Sequence, residues 1–125
     1  MQRLKTRPQF QAALAGGTLA RTPHFALHCC SLEPGVLFPE HTVWLGAMVP
    51  KRWARRAVTR NTIKRQIYHV GAVFESSLAA RAHVVRLRAG FDRARFVSAT
   101  SDMLKHAVRA ELQQLFAQVR VATVP

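Results

Sequence analysis

Residues 51–65 carry seven cationic side chains, Lys51, Arg52, Arg55, Arg56, Arg60, Lys64 and Arg65, and no acidic one. A segment so charged cannot enter a protein interior, because each ion would lose its hydration without gaining a partner. It is not uniformly polar, however. At helical spacing Ile63, Ile67, Val70 and Phe74 fall on one narrow arc. The segment is therefore expected to form one helix, from about Arg55 to Phe74, that docks one face on a core. The adjacent face, with Arg60, Asn61, Lys64 and Arg65, is offered outward. Arg60 and Lys64 stand four apart and repel each other. Solvated helix faces ordinarily mix signs for solubility, so this face calls for counter-charge from outside. A phosphate backbone supplies it, with release of condensed counterions. Asn61 adds an amide that both donates and accepts, which points to recognition of shape as well as charge.

The whole chain has the same bias. Nineteen Lys and Arg against six Asp and Glu give a formal net charge of +13 and a sequence pI near 11.7, the balance of a nucleic-acid-binding protein. With 49% of its 125 residues apolar, the chain can bury a core, and one domain spanning 1–125 is expected. No apolar run approaches the roughly 18 residues of a membrane span, so no membrane partner is expected. The opening stretch Met1–Pro8 has charges with no apolar region after them, which argues for the cytoplasm rather than secretion. Cys29 and Cys30 are neighbours on an expected strand and point to opposite faces, so both are read as reduced packing residues.

Pattern and punctuation divide the chain further. Pro8–Leu14 reads as a short helix stopped at Gly16-Gly17. His24–Leu32 and Val43–Val49, separated by a loop with Pro34, Gly35 and Pro39, read as strands that pair antiparallel. After the basic helix, Ala82–Arg88 is another strand, whose Arg86 and Arg88 are expected to approach phosphate. A last helix, capped by Ser98, Thr100 or Ser101, follows with an apolar stripe of Met103, Leu104, Ala107, Val108, Leu112, Leu115 and Phe116. Helices packed on one small sheet, an α/β sandwich, accommodate this order.

The chain resembles the protein subunit of bacterial ribonuclease P over nearly its whole length. The residues that carry the likeness are Arg3-Leu4-Lys5, Phe10, the strand Phe25–His28, Gly46, Val49-Pro50-Lys51-Arg52, and above all Ala57-Val58-Thr59-Arg60-Asn61-Thr62-Ile63-Lys64-Arg65, with a C-terminal amphipathic helix ending in Leu115-Phe116. The resemblance implies an α/β (α+β) two-layer sandwich with a small mixed sheet, order αβββαβα, and a left-handed βαβ crossover. It also implies that the basic block, Lys51, Arg52, Arg55, Arg56, Arg60, Asn61, Lys64 and Arg65, binds a catalytic RNA subunit. A cleft between the first helix and the sheet, at Phe10, Leu14 and His28, would take the single-stranded 5′ leader of precursor tRNA. Thr62 and Tyr68 depart from the family pattern, which has arginine or another basic residue there. For Phe10 and His28 the alternative role is ordinary packing.

Protein-borne catalysis is not expected. A two-metal phosphodiesterase needs clustered carboxylates, whereas Glu33, Glu40, Glu75, Asp92, Asp102 and Glu111 are scattered singly. His24 and His28 on a strand lack the helical zinc-ligand spacing, and Cys29-Cys30 lacks the usual paired-ligand spacing. The resemblance therefore implies no protein-bound cofactor, Mg²⁺ held mainly by the RNA, and a protein monomeric in the holoenzyme that serves as accessory subunit in endonucleolytic 5′ maturation of tRNA. A ribosomal-type or RNA-chaperone protein would share the size and charge, and remains the alternative.

Overall fold

A computed structural model describes residues 1–91 and 102–122. The elements are β1 (Gln2–Arg3), α1 (Arg7–Ala15), β2 (Thr18–Arg21), β3 (Phe25–Cys30), β4 (Trp44–Met48), α2 (Ala57–Val73), a 3₁₀ turn (Glu75–Ser77), β5 (Ala82–Leu87) and α3 (Asp102–Ala122). Five strands form one mixed sheet in the order β1-β4-β5-β3-β2. This is the mixed α+β class that the sequence implies, with β1 as an added edge strand too short to leave a periodic signal.

One expected pairing is wrong. β3 and β4 do not pair with each other. β5 enters between them, antiparallel to β3 with Phe25 opposite Leu87, and parallel to β4 with Trp44 opposite Ala82. The physical reason lies in β5 itself. Its Ala82, Val84, Val85 and Leu87 are all buried, so it is apolar on both faces and belongs at the sheet centre. The parallel β4 and β5 are then joined by α2 as a crossover.

α1 starts at a capping box. Thr6 Oγ1 accepts from the Gln9 N–H, and Gln9 Oε1 accepts from the N–H groups of Thr6 and Lys5. Pro8 sits in the first turn, where its missing N–H costs nothing. α2 and α3 cover one face of the sheet, where Phe25, Leu27, Leu45, Val85 and Leu87 meet Ile63, Ile67, Leu112, Leu115 and Phe116. Of the arc expected on α2, Ile63, Ile67 and Val70 are buried, while Phe74, one residue past the helix end, is half-buried and stacks on Phe116 with ring centroids 5.7 Å apart. On the opposite face α1 closes a smaller cluster of Leu4, Ala13, Trp44, Ala82 and Val84.

α3 buries Leu104, Val108, Leu112, Leu115, Phe116 and Val119. Met103, expected in the same stripe, is instead 59% exposed, because it lies about 100° around the helix from Leu104. Its proposed caps at Ser98, Thr100 and Ser101 lie outside the described residues. Glu111 pins α3 to the β2–β3 hairpin, accepting from Thr22 Oγ1 at 2.6 Å and from the backbone N–H and Nδ1 of His24 at 2.7 Å. Cys29 is buried, Cys30 half-buried, and both are free thiols.

Candidate RNA interface

The basic block occupies the turn of residues 50–56 and the outer face of α2. Lys51, Arg52, Arg55, Arg56, Asn61, Lys64 and Arg65 are exposed, and Arg60 is half-buried. α2 begins against ordinary electrostatic preference. Its N-cap is Arg56, with no side-chain cap bond, and its first turn contains no acidic residue. Cations there oppose the positive end of the helix dipole, and the missing cap forgoes about 1 kcal/mol. A bound polyanion would relieve both.

Arg60 does more than present charge. Its Nη1 donates to the carbonyls of Ala54 at 3.0 Å and Arg55 at 2.7 Å, so it braces the turn that carries the upstream cations. Its remaining guanidinium N–H groups stay available for an acceptor. Thr62, where the resemblance leads one to expect arginine, is buried, and its hydroxyl donates to the Val58 carbonyl inside the helix. Thr62 thus contributes no charge to the outer face. Tyr68 is fixed from behind, its hydroxyl accepting from the Ala47 N–H at 3.3 Å. The Arg3 guanidinium lies 3.9 Å from the centre of the Tyr68 ring. β1 thus returns a positive charge to the row of Arg60 and Lys64, one turn beyond Lys64. The sequence offered no signal for this, since it depends on the pairing of β1 with β4.

Three of the acidic residues are engaged elsewhere. Glu75 takes the N-terminal amine at 3.3 Å, Glu40 accepts from Gln2, and Glu111 holds the hairpin. Among the described residues no lysine or arginine pairs with a carboxylate. The cationic face is uncompensated from within the protein.

On the opposite face of the sheet, α1 lays its apolar margin against the smaller core cluster. Phe10 and Leu14 are half-buried there, beside Met48 and Cys30. Phe10 rests directly on Gly46, where a Cβ would lie 2.7 Å from Phe10 Cε1, so β4 needs glycine at that point. His28 is 7% exposed, with Nδ1 3.3 Å from Thr18 Oγ1 and Nε2 accepting from Arg86 Nε at 3.3 Å. Burial first, and then the Arg86 charge, lower its pKa. A neutral ring accepting from Arg86 follows, with the half-exposed Arg86 above it. Arg88 is turned elsewhere, Nη1 donating to the carbonyls of Thr22 and Pro23.

Among the described residues no three His, Cys, Asp or Glu side chains gather as a metal site. His24 is occupied by Glu111 and stacks on Phe91 at 4.0 Å, and His83 is buried with Nδ1 donating to the Trp44 carbonyl at 3.2 Å. No described helix is long and apolar enough to cross a membrane.

Comparison with known proteins agrees with this architecture. The family profile described as Ribonuclease P matches residues 1–118. The ribonuclease P protein component of Bordetella parapertussis is 35% identical over 117 residues, covering 94% of this chain and 90% of that one. That of Ralstonia pickettii is 32% identical over 123 residues, covering 98% and 80%. Among solved structures, a Staphylococcus aureus RNase P protein superposes with a TM-score of 0.70 at 22% identity, covering 99% of this chain and 97% of that one. A whole-length family match, supported by relatives above 30% identity and by the shared fold, shows that this chain belongs to the ribonuclease P protein family.

Proposed function

We propose that this protein is the accessory subunit of a cytoplasmic ribonuclease P, binding the catalytic RNA subunit and precursor tRNA to promote removal of the 5′ leader. The observation that carries the reading is the uncompensated charge: a net +13 chain in which no described lysine or arginine is paired with a carboxylate. Such a surface attracts a polyanion and releases that polyanion's condensed counterions on binding. Lys51, Arg52, Arg55, Arg56, Arg60, Asn61, Lys64 and Arg65 are assigned to the RNA subunit, with Arg60 also bracing the turn. Phe10, Leu14 and His28 are assigned to the leader. In this assignment Phe10 and Leu14 offer apolar surface to bases, and His28 acts by seating Arg86 rather than through its own largely covered ring.

Among the described residues no three His, Cys, Asp or Glu side chains gather to hold Mg²⁺, and the carboxylates of Glu40, Glu75 and Glu111 stand on separate tethers. Mg²⁺ is accordingly assigned to RNA phosphates, and catalysis to the RNA. One protein per holoenzyme is proposed. The test is reconstitution. Purified protein, free of RNA, is expected to leave precursor tRNA intact, and addition of it to a bacterial ribonuclease P RNA at low Mg²⁺ is expected to release the 5′ leader. Metal-dependent cleavage by the RNA-free protein, or no stimulation of the RNA, would overturn the assignment.

A further inference from the structure

The two tryptophans of this chain have opposite surroundings. Trp44 is 6% exposed and its indole N–H donates to the Glu40 carbonyl at 2.8 Å. Trp53 is 37% exposed and stands in the turn of residues 50–56, between Arg52 and the Arg55-Arg56 pair. The Arg52 guanidinium carbon lies 5.4 Å from the Trp53 ring centroid, within cation–π range.

The turn beneath the indole is firmly held. The Trp53 N–H donates to the Pro50 carbonyl at 3.1 Å, and the Ala54 N–H reaches both the Pro50 and Lys51 carbonyls at 3.2 Å. Arg60 grips the Ala54 and Arg55 carbonyls from α2. Gly90, just beyond β5, packs so closely on the turn that a Cβ there would lie 3.1 Å from the Trp53 carbonyl oxygen. The backbone is therefore ordered before any partner arrives, and little ordering cost is left for binding.

We propose that Trp53 is a stacking platform for one unpaired nucleobase, clamped by phosphate contacts from Lys51, Arg52, Arg55 and Arg56 on either side. The proposal rests on the reading that this face meets RNA. An apolar protein surface is a poor partner, because it would have to cover four cations with nothing to pair them. A nucleotide satisfies both demands, a flat ring for the indole and a phosphate for the guanidinium groups. The base must be unpaired, because a base within a duplex has both faces taken by its neighbours. Such a base is available in a bulge or loop of the RNA subunit or in the single-stranded leader of precursor tRNA.

The experiment measures binding of the bacterial ribonuclease P RNA and, separately, of precursor tRNA to the full chain and to Trp53→Ala, Trp53→Phe and Lys64→Ala across a salt series. Trp53→Ala is expected to weaken one of the two RNAs by about 5- to 150-fold, and the RNA affected identifies the source of the base. Trp53→Phe should recover most of the loss. Neither Trp53 variant should alter the log-log salt slope, whereas Lys64→Ala should lower it by about one. Intrinsic fluorescence provides a direct readout: octauridylate should quench the emission that Trp53→Phe removes, and a duplex with the same number of phosphates should not. Thermal unfolding of both variants guards against a folding defect, with Trp53→Phe deciding if Trp53→Ala melts. Trp53→Ala binding both RNAs within twofold of the parent, with Lys64→Ala still lowering the slope, overturns the stacking site and leaves the RNA-binding reading standing. No binding of either RNA by the parent chain overturns both.

Discussion

Arg60 and Lys64 occupy successive turns of α2 and look interchangeable in the sequence, yet their surroundings separate them. Lys64 is exposed with its charge toward solvent, whereas Arg60 is half-buried and donates to two backbone carbonyls of the preceding turn. Lys64→Ala is therefore expected to lower the salt slope of RNA-subunit binding by about one while leaving the unfolding temperature in place. Arg60→Ala should lower both the salt slope and the unfolding temperature. It removes a phosphate contact and releases the turn, costing roughly 1 kcal/mol of stability for hydrogen bonds open to water. Parallel salt titrations and thermal melts check the pair, and equal melting temperatures for the two variants would show that the brace contributes nothing. Gly46 poses a packing question at the same scale. Gly46→Ala drives a methyl into Phe10 and Leu4, and overpacking of this kind should destabilise by about 1–3 kcal/mol.

At the scale of elements, much of the architecture was legible because helix and strand carry different apolar periods. The arc of Ile63, Ile67 and Val70 located α2, and Gly16-Gly17 marked the end of α1. The strand order was not legible. Pairing β3 with β4 is the local choice, and only burial of β5 on both faces, with partners at both edges, puts it between them. The same non-local fact hid Arg3, whose place above Tyr68 exists only once β1 has paired with β4. The cationic face could be read residue by residue, because charge without counter-charge is visible in one dimension. The brace formed by Arg60 and the Arg86 partner of His28 could not be read, since both require atoms brought from elsewhere. α1 offers the test of the proposed leader groove. Phe10→Ala is expected to reduce the preference of the holoenzyme for precursor over mature tRNA while assembly with the RNA subunit persists. Phe10 is only half-buried, so the stability loss should fall below the roughly 3–5 kcal/mol of a fully buried Phe→Ala change. Full destabilisation with unchanged discrimination would make Phe10 a core residue and remove the groove assignment.

The whole molecule pairs a strongly cationic exterior with an interior that keeps two imidazoles neutral. His83 is held low in pKa by burial, offset in part by its backbone hydrogen bonds, and His28 by burial and then by Arg86. In each case the folded pKa lies below the ordinary value of 6.5. Between that value and the lower folded one, the unfolded chain takes up protons that the folded chain refuses. The unfolded state binds more protons there, so stability rises with pH. The contribution is complete above about pH 6.5 and is lost as pH falls through the folded pKa values. Protonation of His28 also costs the hydrogen bond from Arg86 Nε, because a protonated Nε2 no longer accepts. The unfolding temperature is therefore expected to decline from pH 7 toward pH 5, a window that stays above the ordinary carboxylate range. His83→Asn, which retains a donor for the Trp44 carbonyl, should flatten the decline even if it lowers stability throughout. Melts at fixed ionic strength separate this effect from screening of the +13 charge. A melting temperature independent of pH across the window, or a decline of the same slope in His83→Asn, would show that the interior imidazoles do not set the acid limit of this fold.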